Sequence, residues 1–126
     1  MYITKLDKNI YRCITESIAT EDVIITDEQL DHIYNHHPDA YKQVLAELSG
    51  TIINPDIILK DNKHNNTGLV IKELNNEPNK HSFVVLRICT DTKGGTLSNS
   101  IISGWRINKL RLERYLKNGV ILYKKR

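Results

Sequence analysis

The sequence predicts an α+β fold: two N-terminal helices packed on a mainly antiparallel sheet of about four strands, followed by a further C-terminal helix and strand. Three observations carry this expectation. Helical periodicity fills residues 26–48, strand-like patterning takes over from Thr51, and turn formers rather than helices separate the consecutive strands. The 126 residues form one domain, 1–126, long enough to bury roughly two thirds of the surface of the unfolded chain.

Residues 2–6 alternate apolar and polar at period two and read as a short strand, and Val23, Ile24 and Ile25 form a second apolar run. Thr26 or Asp27 caps a helix whose stripe is Leu30, Ile33 and Tyr34 and which Pro38 ends. Asp39 caps a second helix through Leu48, with Tyr41, Val44, Leu45 and Leu48 on one side and Gly50 as its stop. Strands are expected at 52–60, 67–74, 82–90 and 98–105, the last preceded by a Lys93-Gly94-Gly95 turn. Ile107, Leu110, Leu112, Tyr115 and Leu116 then suit an amphipathic helix ended by Asn118-Gly119, and residues 120–123 close the chain as a strand.

Hydrophobic residues at 40% and charged residues at 26% describe a globular chain rather than a disordered one. No run approaches the roughly 18 apolar residues of a membrane span, so a cytoplasmic protein with no membrane partner is expected. Cys13 and Cys89 each lie among apolar neighbours, as buried thiols do, and form no CxxC pair. The net charge of +3 conceals an asymmetry, because residues 106–126 carry eight Lys or Arg against Glu113 alone. Positive charge gathered on one element suits a phosphate backbone or another acidic surface, or else a plain solvated helix face.

Three groups of residues could carry chemistry. In His32-Ile-Tyr-Asn-His36-His37-Pro38, helical spacing sends His32 and His36 from one face, and Pro38 holds His37 out of helical geometry so that it can turn back beside them. Imidazoles titrate near neutrality and can act as general base and acid. The competing readings are histidines that simply favour a helix C-terminus and a His-x3-His metal pair, the latter lacking an acidic residue at HExxH spacing. Second, Arg87 shares a strand face with Phe83, Val85 and Cys89, and Lys60 ends an apolar strand; each either pairs with a carboxylate or waits for a phosphate. Third, Ser98, Asn99, Ser100, Ser103, Trp105 and Arg106 combine hydroxyl, amide, indole and guanidinium groups suited to cradling a nucleotide, or form an edge strand with a core tryptophan.

Four segments in order, Ile-Thr-Asp-Glu-Gln-Leu-Asp-His32-Ile-Tyr-Asn-His36-His37-Pro38, Ile-Ile-Asn-Pro55-Asp56-Ile-Ile-Leu-Lys60, Ser98-Asn99-Ser100-Ile-Ile-Ser103-Gly-Trp105 and Leu-Lys-Asn-Gly-Val-Ile-Leu-Tyr-Lys, resemble the phage and prophage branch of the barnase, EndoU, colicin and RelE nuclease fold. The resemblance implies helices on a four-stranded antiparallel sheet and metal-independent RNA cleavage on the sheet face. Members tend to read Arg-His-Pro where this chain has His36-His37-Pro38, so His37 matches the motif histidine and His36 replaces a cation.

On that basis His32 and His37 are expected as base and acid, in no assigned order, with Lys60 and Arg87 on the phosphate and Ser100 positioning it. His36, Ser98, Asn99, Ser103, Trp105 and Arg106 are expected to bind substrate. RNA is the expected partner, a cognate inhibitor protein is a further candidate, and neither metal nor cofactor is called for. The alternative is a non-catalytic RNA- or protein-binding module of a phage or prophage.

Overall fold

The structure, a computed structural model, describes residues 1–75, 77–90 and 97–126. The chain runs β1 (Tyr2–Lys5), α1 (Lys8–Tyr11), β2 (Asp22–Ile24), α2 (Asp27–His36), a 3₁₀ turn (Pro38–Ala40), α3 (Tyr41–Ile53), β3 (Ile57–Lys60), β4 (Thr67–Glu73), β5 (Lys80–Arg87), β6 (Asn99–Asn108), α4 (Lys109–Asn118) and β7 (Ile121–Lys124). The class is α+β as expected, but the sheet has seven strands rather than four. The short terminal segments join it, giving the order β1-β2-β6-β5-β4-β3-β7. All neighbours are antiparallel except β2 and β6, where Val23 and Ile24 pair in parallel with Asn99 and Ser100.

Local chemistry explains most boundaries and several corrections. The Thr26 side chain accepts from the Gln29 amide and starts α2, which His37 and Pro38 end. Asp39 caps nothing: it lies inside the 3₁₀ turn, and α3 starts at Tyr41 without a side-chain cap. Nor does Gly50 stop α3. The helix runs on to Ile53, because Thr51 and Ile52 are buried on the same side as Val44 and Leu48, and that burial outweighs a glycine's helix penalty of about 1 kcal/mol. Residues 52 and 53 are therefore helical, and β3 starts only at Ile57. Likewise Ile107 belongs to β6, and Asn108 caps α4 by accepting from the Arg111 amide. Leu110, expected on the buried stripe, is exposed. The Lys93-Gly94-Gly95 turn lies outside the described residues.

The sheet has two unlike faces. The first, here the closed face, is covered by α1, α2 and α3, with Val23, Ile33, Val44, Leu48, Ile52, Ile58, Val70, Val84, Leu86 and Ile101 in its core. Gly104 permits the close approach of α3, since a Cβ there would stand 3.3 Å from Leu48 Cδ2. The Tyr11 hydroxyl donates to the Ile52 carbonyl within this core, and burial raises its pKa above the ordinary value. Cys13 packs at the margin and is free; it is half-buried, as is Cys89, rather than fully interior.

The second face carries a smaller cluster, Leu59, Ile71, Phe83, Ile107 and Leu112, with α4 covering only part of it. The remainder is the open face.

Candidate active site

Register decides which residues reach the open face. In β5, His81, Phe83, Val85 and Arg87 alternate onto it, and β6 opposes them with Ile107, Trp105, Ser103 and Ser100. Simple alternation would send Ser100 and Ser103 to opposite faces. A β-bulge at Ile102 inserts one extra residue, so that both serines face the same way, across from Arg87 and Val85.

The histidines of α2 stand beside this surface. His36 Nδ1 lies 3.0 Å from the His32 carbonyl oxygen, and the two rings approach to 4.2 Å between centroids. His37 follows at 6.5 Å from His36, held by its backbone amide on the Ile33 carbonyl, and stacks on Trp105 at 6.3 Å. Trp105 contacts Phe83 at 4.7 Å, and Phe83 contacts Tyr115 of α4 at the same distance. A continuous row of six rings thus crosses from α2 over the sheet to α4. Next to it, His32 and Ile102 border a pocket of about 500 Å³ with Glu28, Gln29, Asp31 and Asn35. Trp105 Nε1 and His81 Nδ1 are buried nitrogens without a hydrogen-bond partner among the described residues, an imperfection that cores avoid.

The structure brings His37, Trp105, Ser103, Ser100 and Arg87 to one face, with His36 and His32 along its edge. Arg87 is exposed and forms no ion pair among the described residues.

Four expected residues are not among them. Asn99 is fully buried; its Nδ2 donates to the Thr20 and Asp22 carbonyls and its Oδ1 accepts from the Cys89 amide, so its polar atoms are used in fastening β2 to β6. Arg106 points to the closed face, where Nε and Nη2 donate to the two Glu47 carboxylate oxygens at 3.0 and 2.6 Å and Nη1 lies 2.7 Å from Glu77. Those hydrogen bonds raise its pKa. Lys60 ends β3, three strands from β6, which at about 4.8 Å per strand sets it well away from the histidines. Ser98 lies just before β6, half-buried.

Arg111 and Arg114 belong to the basic C-terminal segment that the sequence marks as attractive to RNA, Tyr115 reads there only as part of the apolar stripe, and α4 sets all three beside the open face. The signal that joins Tyr115 to the two arginines is the spacing of Arg111, Arg114, Tyr115 and Asn118, which is i, i+3, i+4, i+7 and marks one helix face. Among the described residues no group of three or more His, Cys, Asp or Glu is placed to share a metal, and no helix is long and apolar enough to cross a membrane.

A family model described as phage-Barnase-EndoU-ColicinE5/D-RelE like nuclease2 matches residues 3–124, almost the whole chain. No curated protein and no solved structure matches it.

Proposed function

The chain belongs to the phage-Barnase-EndoU-ColicinE5/D-RelE like nuclease 2 family, whose substrate class is nucleic acid, and from that premise we propose that it is a metal-independent endoribonuclease. The observation that carries the reading is the meeting of three imidazoles with a sheet face bearing two hydroxyls and an exposed guanidinium that forms no ion pair among the described residues. In this scheme the ribose 2′-hydroxyl gives its proton to one imidazole and attacks the adjacent phosphorus. The 5′-oxygen leaves with a proton from a second imidazole, producing a 2′,3′-cyclic phosphate and a 5′-hydroxyl. His32 and His37 share these roles, Arg87 balances the charge on the phosphorane, and Ser100 and Ser103 hold its oxygens. Trp105, stacked on His37, adds aromatic surface on which a base can stack. His36 adds positive charge when protonated.

RNA should be cleaved in excess EDTA to give cyclic phosphate ends, and DNA of the same sequence should be inert for want of a 2′-hydroxyl. Activity abolished by chelation and restored by zinc would overturn the scheme.

A second reading is favoured by one observation. Asn99, Arg106 and Lys60 do not converge on the histidines, so the surface can also be read as a non-catalytic RNA-binding platform. Intact binding by a protein that cleaves no RNA would select it.

A further inference from the structure

Across the aromatic row from α2, the open face ends in a groove of about 410 Å³ between α4 and the loop after β3. Its walls are Lys60, Asp61, Asn62 and Lys63 on one side and Arg111, Arg114, Tyr115 and Asn118 on the other, with Leu69 between them. Leu112 and Leu116 anchor α4 on the sheet cluster, which fixes the Arg111, Arg114, Tyr115 and Asn118 side of the helix toward the groove. Four cations thus line the groove against one carboxylate. That carboxylate is already engaged: Asp61 accepts from the Lys63 amide through Oδ1 and contacts His64 Nδ1 at 3.2 Å through Oδ2. None of the four cations forms an ion pair among the described residues, in contrast to Arg106. Arg111 lies over the Tyr115 ring at 6.0 Å, so aromatic and cationic surface are presented together.

We propose that this groove is a second phosphate subsite, which holds a phosphodiester of the same RNA strand a few nucleotides from the bond that is cut. The inference rests on the nuclease reading and adds to it a requirement for substrate length. Guanidinium groups and a side-chain amide suit phosphate oxygens, while Leu69 and Tyr115 suit the face of a base, a combination that a bare anion would not use. The groove is also connected to the catalytic edge: from Tyr115 the ring row leads to Phe83, Trp105 and His37 in steps of 4.7, 4.7 and 6.3 Å. At about 3.4 Å of rise per stacked nucleotide, those steps correspond to at most about five nucleotides.

The test compares cleavage of a dinucleotide with that of an octanucleotide by wild type, an Arg111→Gln, Arg114→Gln double variant and Lys63→Gln. Wild type should favour the longer substrate, and the double variant should lose about tenfold of that advantage, expressed as the ratio of the two kcat/KM values and arising in KM. Lys63→Gln should lose a smaller part. Its side chain forms no hydrogen bond or ion pair among the described residues, so it reports even if the double variant folds poorly. Equal loss on both substrates, or no loss on either, overturns the subsite. Fluorescence anisotropy with the same labelled oligonucleotides separates this outcome from failure of the nuclease reading. A protein that cleaves nothing, yet binds the octanucleotide better than the dinucleotide and loses that preference in the double variant, keeps the subsite. Length-independent binding removes it, and leaves the groove to an acidic protein partner.

Discussion

Trp105 and Arg106 are neighbours in β6, yet they belong to two different kinds of surface. Arg106 enters the closed face and is held by two glutamates, with about a fifth of its side chain exposed. Trp105 enters the open face, stacks with His37 and with Phe83, and has an indole nitrogen without a hydrogen-bond partner among the described residues. The same contrast runs through the sheet. On the closed face polar groups are matched within the chain: Thr51 donates to both the Glu47 carbonyl and Ser82. On the open face Arg87 and the cations beneath α4 form no ion pair among the described residues. A solvent-exposed cation needs no partner from the fold and stays available to an anion, so on the proposed reading the difference separates the side that holds the molecule together from the side that meets a substrate.

The largest expected effect tests that division directly. His37→Ala and His32→Ala should each lower RNA cleavage by a factor of roughly 10² to 10⁴, while leaving stability within about 1 kcal/mol, since both belong to the open side. His36→Ala should cost less. On the closed face the balance reverses: Leu48→Ala should cost roughly 2–5 kcal/mol in denaturant unfolding. A histidine variant that melts like a core variant, while its folded fraction cuts RNA at the wild-type rate, would show that the imidazoles serve the fold.

A second effect sharpens the closed side. Burial pushes the Cys13 thiol up from its ordinary range to about 11. Near pH 8 the native protein should therefore react with iodoacetamide about a hundredfold more slowly at Cys13 than the unfolded chain does. The sign for stability follows. Cys13 and Tyr11 both hold their protons more tightly when folded. Their contribution is fully present below about pH 9 and is lost as pH climbs through the raised values, because only the unfolded chain gains by ionising. Stability that rises between pH 9 and 11 would contradict this account.

How much of this was legible in the sequence depends on the range of the physics involved. The helix at 27–36 was plain, because a threonine cap, an apolar stripe and a terminal proline are local signals. The open-face row of Phe83, Val85 and Arg87 was equally plain, since alternation in β5 is unbroken. What escaped was set by partners distant in sequence. The extension of α3 past Gly50 comes from burial against the sheet, and the bulge at Ile102 comes from pairing with β5. The fate of Arg106 depended on Glu47, 59 residues away. Asn99 looked like a free amide because its three partners belong to other strands or loops.

The smallest expected effect is an absence, and it tests the assignment of Arg106. Arg106→Met retains much of the apolar stem but removes hydrogen bonds to Glu47 and Glu77, leaving a partly buried carboxylate without its cation. It should cost roughly 1–3 kcal/mol of stability. Glu47→Gln should cost less, and the double variant less than the two together, because each single change already breaks the same pair. RNA affinity of Arg106→Met should stay within about twofold of wild type, with an unchanged slope of log affinity against log salt, since a cation committed to two carboxylates on the closed face releases no counterion from RNA. Titrations at several salt concentrations decide the matter. A slope flattened by roughly 0.7 would mean that Arg106 touches a phosphate after all, and the boundary between the two faces would have to be redrawn through β6.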